Sequence, residues 1–302
     1  MPDDIVCSVI SRLSTREAVR TSVLSKAWKE LWRRSLKKLD FDAKFMRSRK
    51  TRDFVRQVNQ ILACHHGNEI ESFRVSRYLP KKYGAIVDDW IRFAVEKKVQ
   101  KLDLNLSVKS PFSYAFRKAF PFQIFREDKG GATLKHLSLS SCLFRFPSGT
   151  ITGLRSLKSL TLKHSRVSHT DVLRILTNCS LLEWLSIARC YCGTGLKFAN
   201  ESCSDLRLKH LNISCCERLE EVDIREAKNL LSFEYKGYML NRLLCGNNGA
   251  SVKRLSFYGP YDCTDYVHNG LASDFPRLET LLLSIPSYHV IFQICTFLCF
   301  LL

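Results

Sequence analysis

With 302 residues, 45% of them apolar, the chain has the length of two ordinary domains or of one repeat array with a small appendage, and a composition that excludes global disorder. Its 47 Lys and Arg against 29 Asp and Glu leave a net charge of +18, which suits nucleic acid, phosphate or acidic protein partners without choosing among them. No basic segment followed by an apolar core and cleavage site opens the chain, and thirteen cysteines without a Cys-x-x-Cys pair argue against a secreted disulfide framework and against zinc.

The first 32 residues predict three short helices. Pro2 suits a helix start, Asp3 and Asp4 suit the positive end of its dipole, and Ile5, Val6, Val9, Ile10 and Leu13 form a wide apolar stripe. Ser14 and Glu17 have capping-box spacing, which predicts a second helix from Thr15 carrying Ala18 and Val19, with Val23 and Leu24 beyond it. Ser25 can cap a third helix whose face is Trp28, Leu31 and Trp32. A unit this small cannot bury all of these side chains internally, so part of the stripe is expected to be a contact surface.

The run P-D-D-I-V…I-S-R-L…A-V-R-T-S-V-L-S-K-x-W-K-x-L-W, within residues 1–42, resembles the F-box of plant F-box proteins with leucine-rich repeats. The resemblance implies docking on a Skp-type adaptor and, through it, on a cullin scaffold. It also implies that Pro2, Ile5, Val9, Ile10, Leu13, Val23, Leu24, Trp28 and Leu31 pack at that interface or in the small core behind it. Met1 stands where the family usually has Leu.

Residues 43–66 read as a basic linker, with Lys44, Arg47, Arg49, Lys50 and Arg52, followed by a helix bearing Phe54, Val58, Ile61 and Leu62. From there to residue 285 one template recurs, apolar-x-x-apolar-x-apolar. Its central residues are Phe73, Leu102, Leu137, Leu160, Leu185, Leu211, Phe233, Leu255 and Leu281. Their spacings of 29, 35, 23, 25, 26, 22, 22 and 26 match, with one exception, the period of about 20 to 29 residues of leucine-rich repeats. The exception contains the aromatic segment PFSYAFRKAFPFQIFREDKGG. The expected fold is therefore α/β: a three-helix N-terminal unit, then a solenoid with a curved parallel sheet on the concave face and helices or extended segments returning on the convex face. Cys142, Cys190 and Cys216, with Ser165 and Ser107, each fall three residues after the last apolar strand position, at the small-residue slot of the repeat, so a structural role is expected for them. Residues 286–302 are nearly all apolar but short of a bilayer span. They are expected to lie on the last coil of an array that ends early, not to enter a membrane.

No phosphate loop, nucleophile elbow, metal cluster or paired carboxylate is visible, so binding without a cofactor is expected instead of catalysis. Positions x of the strand x-L-x-L-x point away from the core. The expected target-binding surface is Trp184 with His136, Lys163, His210, Lys236, Arg254 and Tyr258. The leading expectation is a target-recognition subunit of an SCF-type ubiquitin ligase in the nucleus or cytoplasm, binding an adaptor at one end and a target protein on the repeats. Two alternatives stand beside it: a basic scaffold for RNA or a polyanion such as an inositol phosphate, using Lys101, Lys163, Lys236, Arg254 and the 44–52 run, or a degenerate, truncated product. Nucleic acid is the less favoured partner.

Overall fold

The computed structural model describes residues 2–42, 50–106, 118–126, 133–198, 206–237, 240, 242–246, 251–258 and 274–284. Met1, most of the basic linker, much of the aromatic segment, Ser107 and the apolar tail lie outside the described residues. Two compact units result, residues 1–142 with 151–154, and residues 143–150 with 155–302.

The first unit opens with α1 (Asp3–Arg12), α2 (Thr15–Arg20) and, after a 3-10 turn at Thr21–Val23, α3 (Lys26–Ser35). Ser14 and Glu17 close a reciprocal capping box on α2, and the Ser25 hydroxyl accepts the Trp28 N–H at the start of α3. Val6, Ile10, Ala18, Trp32 and Leu36 are buried. The Trp32 indole N–H finds the Ser22 hydroxyl at 2.7 Å, so the largest side chain of this small core carries no unpaired donor.

Strand β1 (Lys38–Phe41) follows, then α4 (Thr51–Cys64), β2 (Ser72–Ser76), α5 (Gly84–Glu96), β3 (Lys101–Asn105) and β4 (His136–Ser140). The four strands are parallel and in register, stacking Leu39, Phe73, Leu102 and Leu137 in one row and Phe41, Val75, Leu104 and Leu139 in the next. All eight are buried. Parallel strands need crossovers, and α4 and α5 supply them, with Phe54 meeting Trp90 edge to face at 6.3 Å and the Trp90 N–H donating to Asn59 at 2.7 Å. β1 is an additional coil start that the nine predicted repeats did not include. It is tied to the helical segment by Thr15, whose hydroxyl donates to Lys38 O at 3.2 Å and accepts from Asp40 N at 2.7 Å.

The second unit contains β5 (Ser159–Lys163), α6 (His169–Asn178), β6 (Trp184–Ala188), β7 (Gly195–Lys197), β8 (His210–Ser214), β9 (Glu221–Asp223), β10 (Ser232–Lys236), β11 (Arg242–Leu244), β12 (Arg254–Tyr258) and β13 (Thr280–Ser284). β5, β6, β8, β10, β12 and β13 pair in parallel, and their register aligns Leu160, Leu185, Leu211, Phe233, Leu255 and Leu281, the central residues of six predicted repeats. β7, β9 and β11 form a second, three-stranded parallel sheet on the returns. β9 contains Val222 of the segment LEEVDI, which shows why the later coils need no helix: a short strand with a buried Val does the same covering in fewer residues.

Each main strand of the middle repeats ends in a left-handed turn. Ser141, His164, Arg189 and Cys215 have φ of 60, 47, 50 and 51°, and each immediately precedes a slot residue, Cys142, Ser165, Cys190 or Cys216. This conformation costs a non-glycine residue about 1–2 kcal/mol. Backbone bonds to the next coil offset it: His164 N donates to Ala188 O at 3.0 Å, Arg189 N to Ser214 O at 2.6 Å, and Cys215 N to Lys236 O. The slot side chain then turns back on its own strand or on the strand of the preceding coil. Ser165 Oγ donates to Lys163 O at 2.9 Å, Cys190 Sγ to Ala188 O at 3.3 Å and to Leu162 O at 3.5 Å, and Cys216 Sγ to Ile187 O at 3.5 Å.

Candidate functional site

The apolar stripe of α1 divides between two environments. Val6 and Ile10 enter the core, whereas Ile5 and Val9, four residues apart on one helix face, are 51% and 41% exposed. At the end of the following 3-10 turn Val23 and Leu24 are 88% and 64% exposed. Of the nine residues expected to meet an adaptor, the structure buries Ile10, half-buries Leu13, Trp28 and Leu31, and exposes Pro2, Ile5, Val9, Val23 and Leu24. Val, Leu and Ile side chains gain about 1.5–3 kcal/mol each on full burial, so four of them left in water on a unit this small make a surface that covering would stabilise.

The register sorts the expected target-binding residues into rows. In the second unit one row runs Ser159, Trp184, His210, Ser232, Arg254, Thr280 across adjacent strands, and the parallel row at the other strand end runs Lys163, Ala188, Ser214, Lys236, Tyr258, Ser284. Trp184 and His210 are therefore neighbours, their rings 5.3 Å apart and tilted by 37°, and Trp184 is 43% exposed. Arg254 lies two strands on from His210. Lys236 and Tyr258 are adjacent, while Lys163 is three strands away from Lys236 in the same row. Burial first, then the Arg254 and Lys209 charges, lowers the His210 pKa, so this imidazole is neutral at pH 7 and offers Trp184 a flat, uncharged partner. His136 belongs to the first unit and sits beside Lys101 in the register of β3 and β4. In that unit Arg74 reaches Asp40 at 3.1 Å and Asp103 at 3.4 Å, so its charge is balanced within the sheet.

The pKa of the slot thiol Cys216 is lowered by its hydrogen bond with Cys192, but the thiol is buried, while two buried thiols outside the slot are pushed the other way. Burial pushes the Cys179 thiol up to about 12, and the hydrogen bond with Cys216 together with burial pushes Cys192 up, so neither is a ready thiolate. Among the described residues no group of three His, Cys, Asp or Glu could hold a metal ion, and no helix is long and apolar enough to cross a membrane. Sequence reasoning singled out none of Arg145, Arg166 and Arg174, which line a cleft of about 600 Å³ in the second unit. They are far apart in the chain and come together only through the stacking of coils, and repeat position offered the one clue: Arg166 directly follows a slot residue.

Two family models match: the F-box domain over residues 1–40, and the At1g61320/AtMIF1 LRR domain over residues 61–297. The second covers more than half of the chain. The chain belongs to the F-box/leucine-rich-repeat family. Among similar proteins of Arabidopsis thaliana, F-box protein At5g03100 is 30% identical over 63% of this chain and 55% of its own length. F-box protein At1g80960 is 29% identical over 74% of this chain and 46% of its own. The chain thus spans about half the length of the curated F-box relatives it matches. Among solved structures, the crystal structure of a TLR13–ssRNA13 complex aligns with a TM-score of 0.47 and 17% identity, covering 85% of this chain and 37% of that one.

Proposed function

We propose that this F-box/leucine-rich-repeat chain is a target-recognition subunit of an SCF-type ubiquitin ligase, acting in the nucleus or cytoplasm. Its α1 and the turn after α2 dock on a Skp-type adaptor, which bridges to a cullin, and its repeat strands hold a target protein. The observation that carries this reading is the exposed set Ile5, Val9, Val23 and Leu24 within the segment that matches the F-box model. The chain itself performs no bond chemistry in this mechanism. Tethering raises the effective concentration of a target lysine near the conjugating enzyme, which suffices to direct modification.

On the target side Trp184 is the anchor. A large, half-exposed aromatic ring packed beside a neutral imidazole presents much rigid area at little entropic cost, as interface hot spots do. The test is reconstitution with adaptor and cullin followed by capture of bound proteins from plant extract. Wild type is expected to retain both adaptor and a target. Trp184→Ala is expected to keep the adaptor and lose the target, and Ile5→Asp with Leu24→Asp to lose the adaptor. A chain that never enters the adaptor complex contradicts the proposal.

A further inference from the structure

The cleft in the second unit is built from three chain segments that the coils bring together. Residues 143–146 run along one side, with Phe144 and Phe146 buried and Arg145 between them exposed. Arg166 sits on the next coil, bridged in parallel to Leu143 before it and Tyr191 after it, and its guanidinium lies over the Tyr191 ring at 5.4 Å. Arg174 comes from α6 and anchors one nitrogen on Phe146 O at 3.1 Å, which fixes the fork at the wall of the cleft.

The cleft also contains one carboxylate, that of Asp171, but it faces inward. Asp171 is 7% exposed. Its Oδ1 accepts Phe146 N–H at 2.8 Å, and its Oδ2 accepts the Ser168 N–H at 3.0 Å and the Ser168 hydroxyl at 2.5 Å. Its hydrogen-bonding capacity therefore goes to holding the 143–146 segment and the start of α6. Among the described residues no carboxylate forms an ion pair with Arg145, Arg166 or Arg174. The three arginines and one aspartate of the lining sum to +2.

That arrangement selects among anions. A carboxylate carries one charge and two oxygens, whereas a phosphate monoester carries about −1.5 to −2 at pH 7 and three acceptor oxygens, which match the net charge and the several guanidinium forks. The volume exceeds what one phosphate fills, and Leu143, Val167 and Tyr191 add walls for neighbouring groups. We propose that this cleft binds a phosphorylated side chain on a peptide segment of the target, so that phosphorylation licenses capture. The inference rests on the reading of the chain as a target-recognition subunit and gives the chemistry of one part of the target.

The test uses the full chain and a fluorescein-labelled Ala-Ala-phosphoserine-Ala-Ala peptide, with the unphosphorylated and Glu-substituted peptides beside it, read by fluorescence polarisation. The phosphopeptide is expected to bind at least about tenfold more tightly than either control, as two or more charge-assisted hydrogen bonds would give. Arg166→Glu and Arg145→Glu, both exposed and so compatible with folding, are expected to remove that preference, while Lys228→Glu, exposed between β9 and β10 and outside the cleft lining, leaves it in place. Equal binding of the three peptides, or an equal loss in Lys228→Glu, overturns the proposal. So does displacement by inorganic phosphate at the concentration of the phosphopeptide, which would mark a site for the free ion. The same samples are run with the adaptor: adaptor binding without phosphopeptide preference overturns only this inference, whereas absent adaptor binding overturns the reading on which it rests.

Discussion

The repeat slot shows how one side chain can set a chain path. Cys190 is fully buried and its thiol donates both to its own strand and to the strand of the preceding coil, at 3.3 and 3.5 Å. Ser165 does part of the same work one coil earlier with a shorter bond of 2.9 Å. Cys190→Ser is therefore expected to stay within about 1 kcal/mol of wild type, and Cys190→Leu, which overfills the slot, to lose about 1–3 kcal/mol, both read from the urea midpoint. His65 is the second residue with a measurable signature. It is buried, its Nε2 donates to Leu36 O at 2.9 Å, and Nδ1 is enclosed without a partner. Burial lowers its pKa, with Lys97 and His66 acting in the same direction. A lowered folded-state value means the neutral form is the stable one. The contribution is full above the unfolded value near 6.5 and is lost as pH falls from there through the folded value. Melting temperature is expected to drop between pH 7 and 5, and His65→Gln to flatten part of that drop; His210, lowered in the same sense, accounts for a further part. The slot was legible in the sequence because spacing marks it. The left-handed φ before it was not, since Ser, His, Arg and Cys share no preference for that conformation and only the bond to the next coil holds it.

At the scale of elements, the junction between helices and sheet is where the sequence was hardest to read. Leu36, Leu39 and Phe41 satisfy the repeat template, yet the 34 residues from Leu39 to Phe73 exceed the period because α4 is inserted, so the segment reads as the end of the helical unit. In the structure it is β1, and Thr15 clips it to α2 by two hydrogen bonds. Thr15→Val keeps the shape and removes both bonds, leaving Asp40 N–H without its acceptor. It is expected to cost about 1–3 kcal/mol, measured as a fall in melting temperature of the full chain. Gly67, at the exit of α4, has the same standing. A Cβ there would lie 2.9 Å from Arg34 O and 2.8 Å from the His65 ring, and its N–H is already held by Arg33 O at 3.2 Å, so Gly67→Ala is expected to loosen the α3–α4 connection and to lower the melting temperature. The returns were partly legible: helices or extended segments were expected on them, as α5, α6 and β9 are, while β7 and β11 are three-residue strands too short for alternation to declare themselves.

For the whole molecule, the division of labour follows from which apolar side chains the fold covers. The repeat leucines are buried in register, row upon row, and that much follows from a template repeated at nearly constant spacing. The N-terminal stripe obeys no such rule. Sequence predicted a face too wide for its unit, but only the structure separates Val6 and Ile10, which are inside, from Ile5, Val9, Val23 and Leu24, which are not. The claim that this leftover surface docks an adaptor is tested most directly by titrating a purified Skp-type adaptor into the full chain in a calorimeter, beside Val23→Asp with Leu24→Asp. Both residues are exposed, so the double variant is expected to melt as wild type does. A one-to-one complex in wild type, weakened at least about tenfold in the variant, is the predicted result. No heat of binding in wild type, or equal affinity in the two, would contradict it.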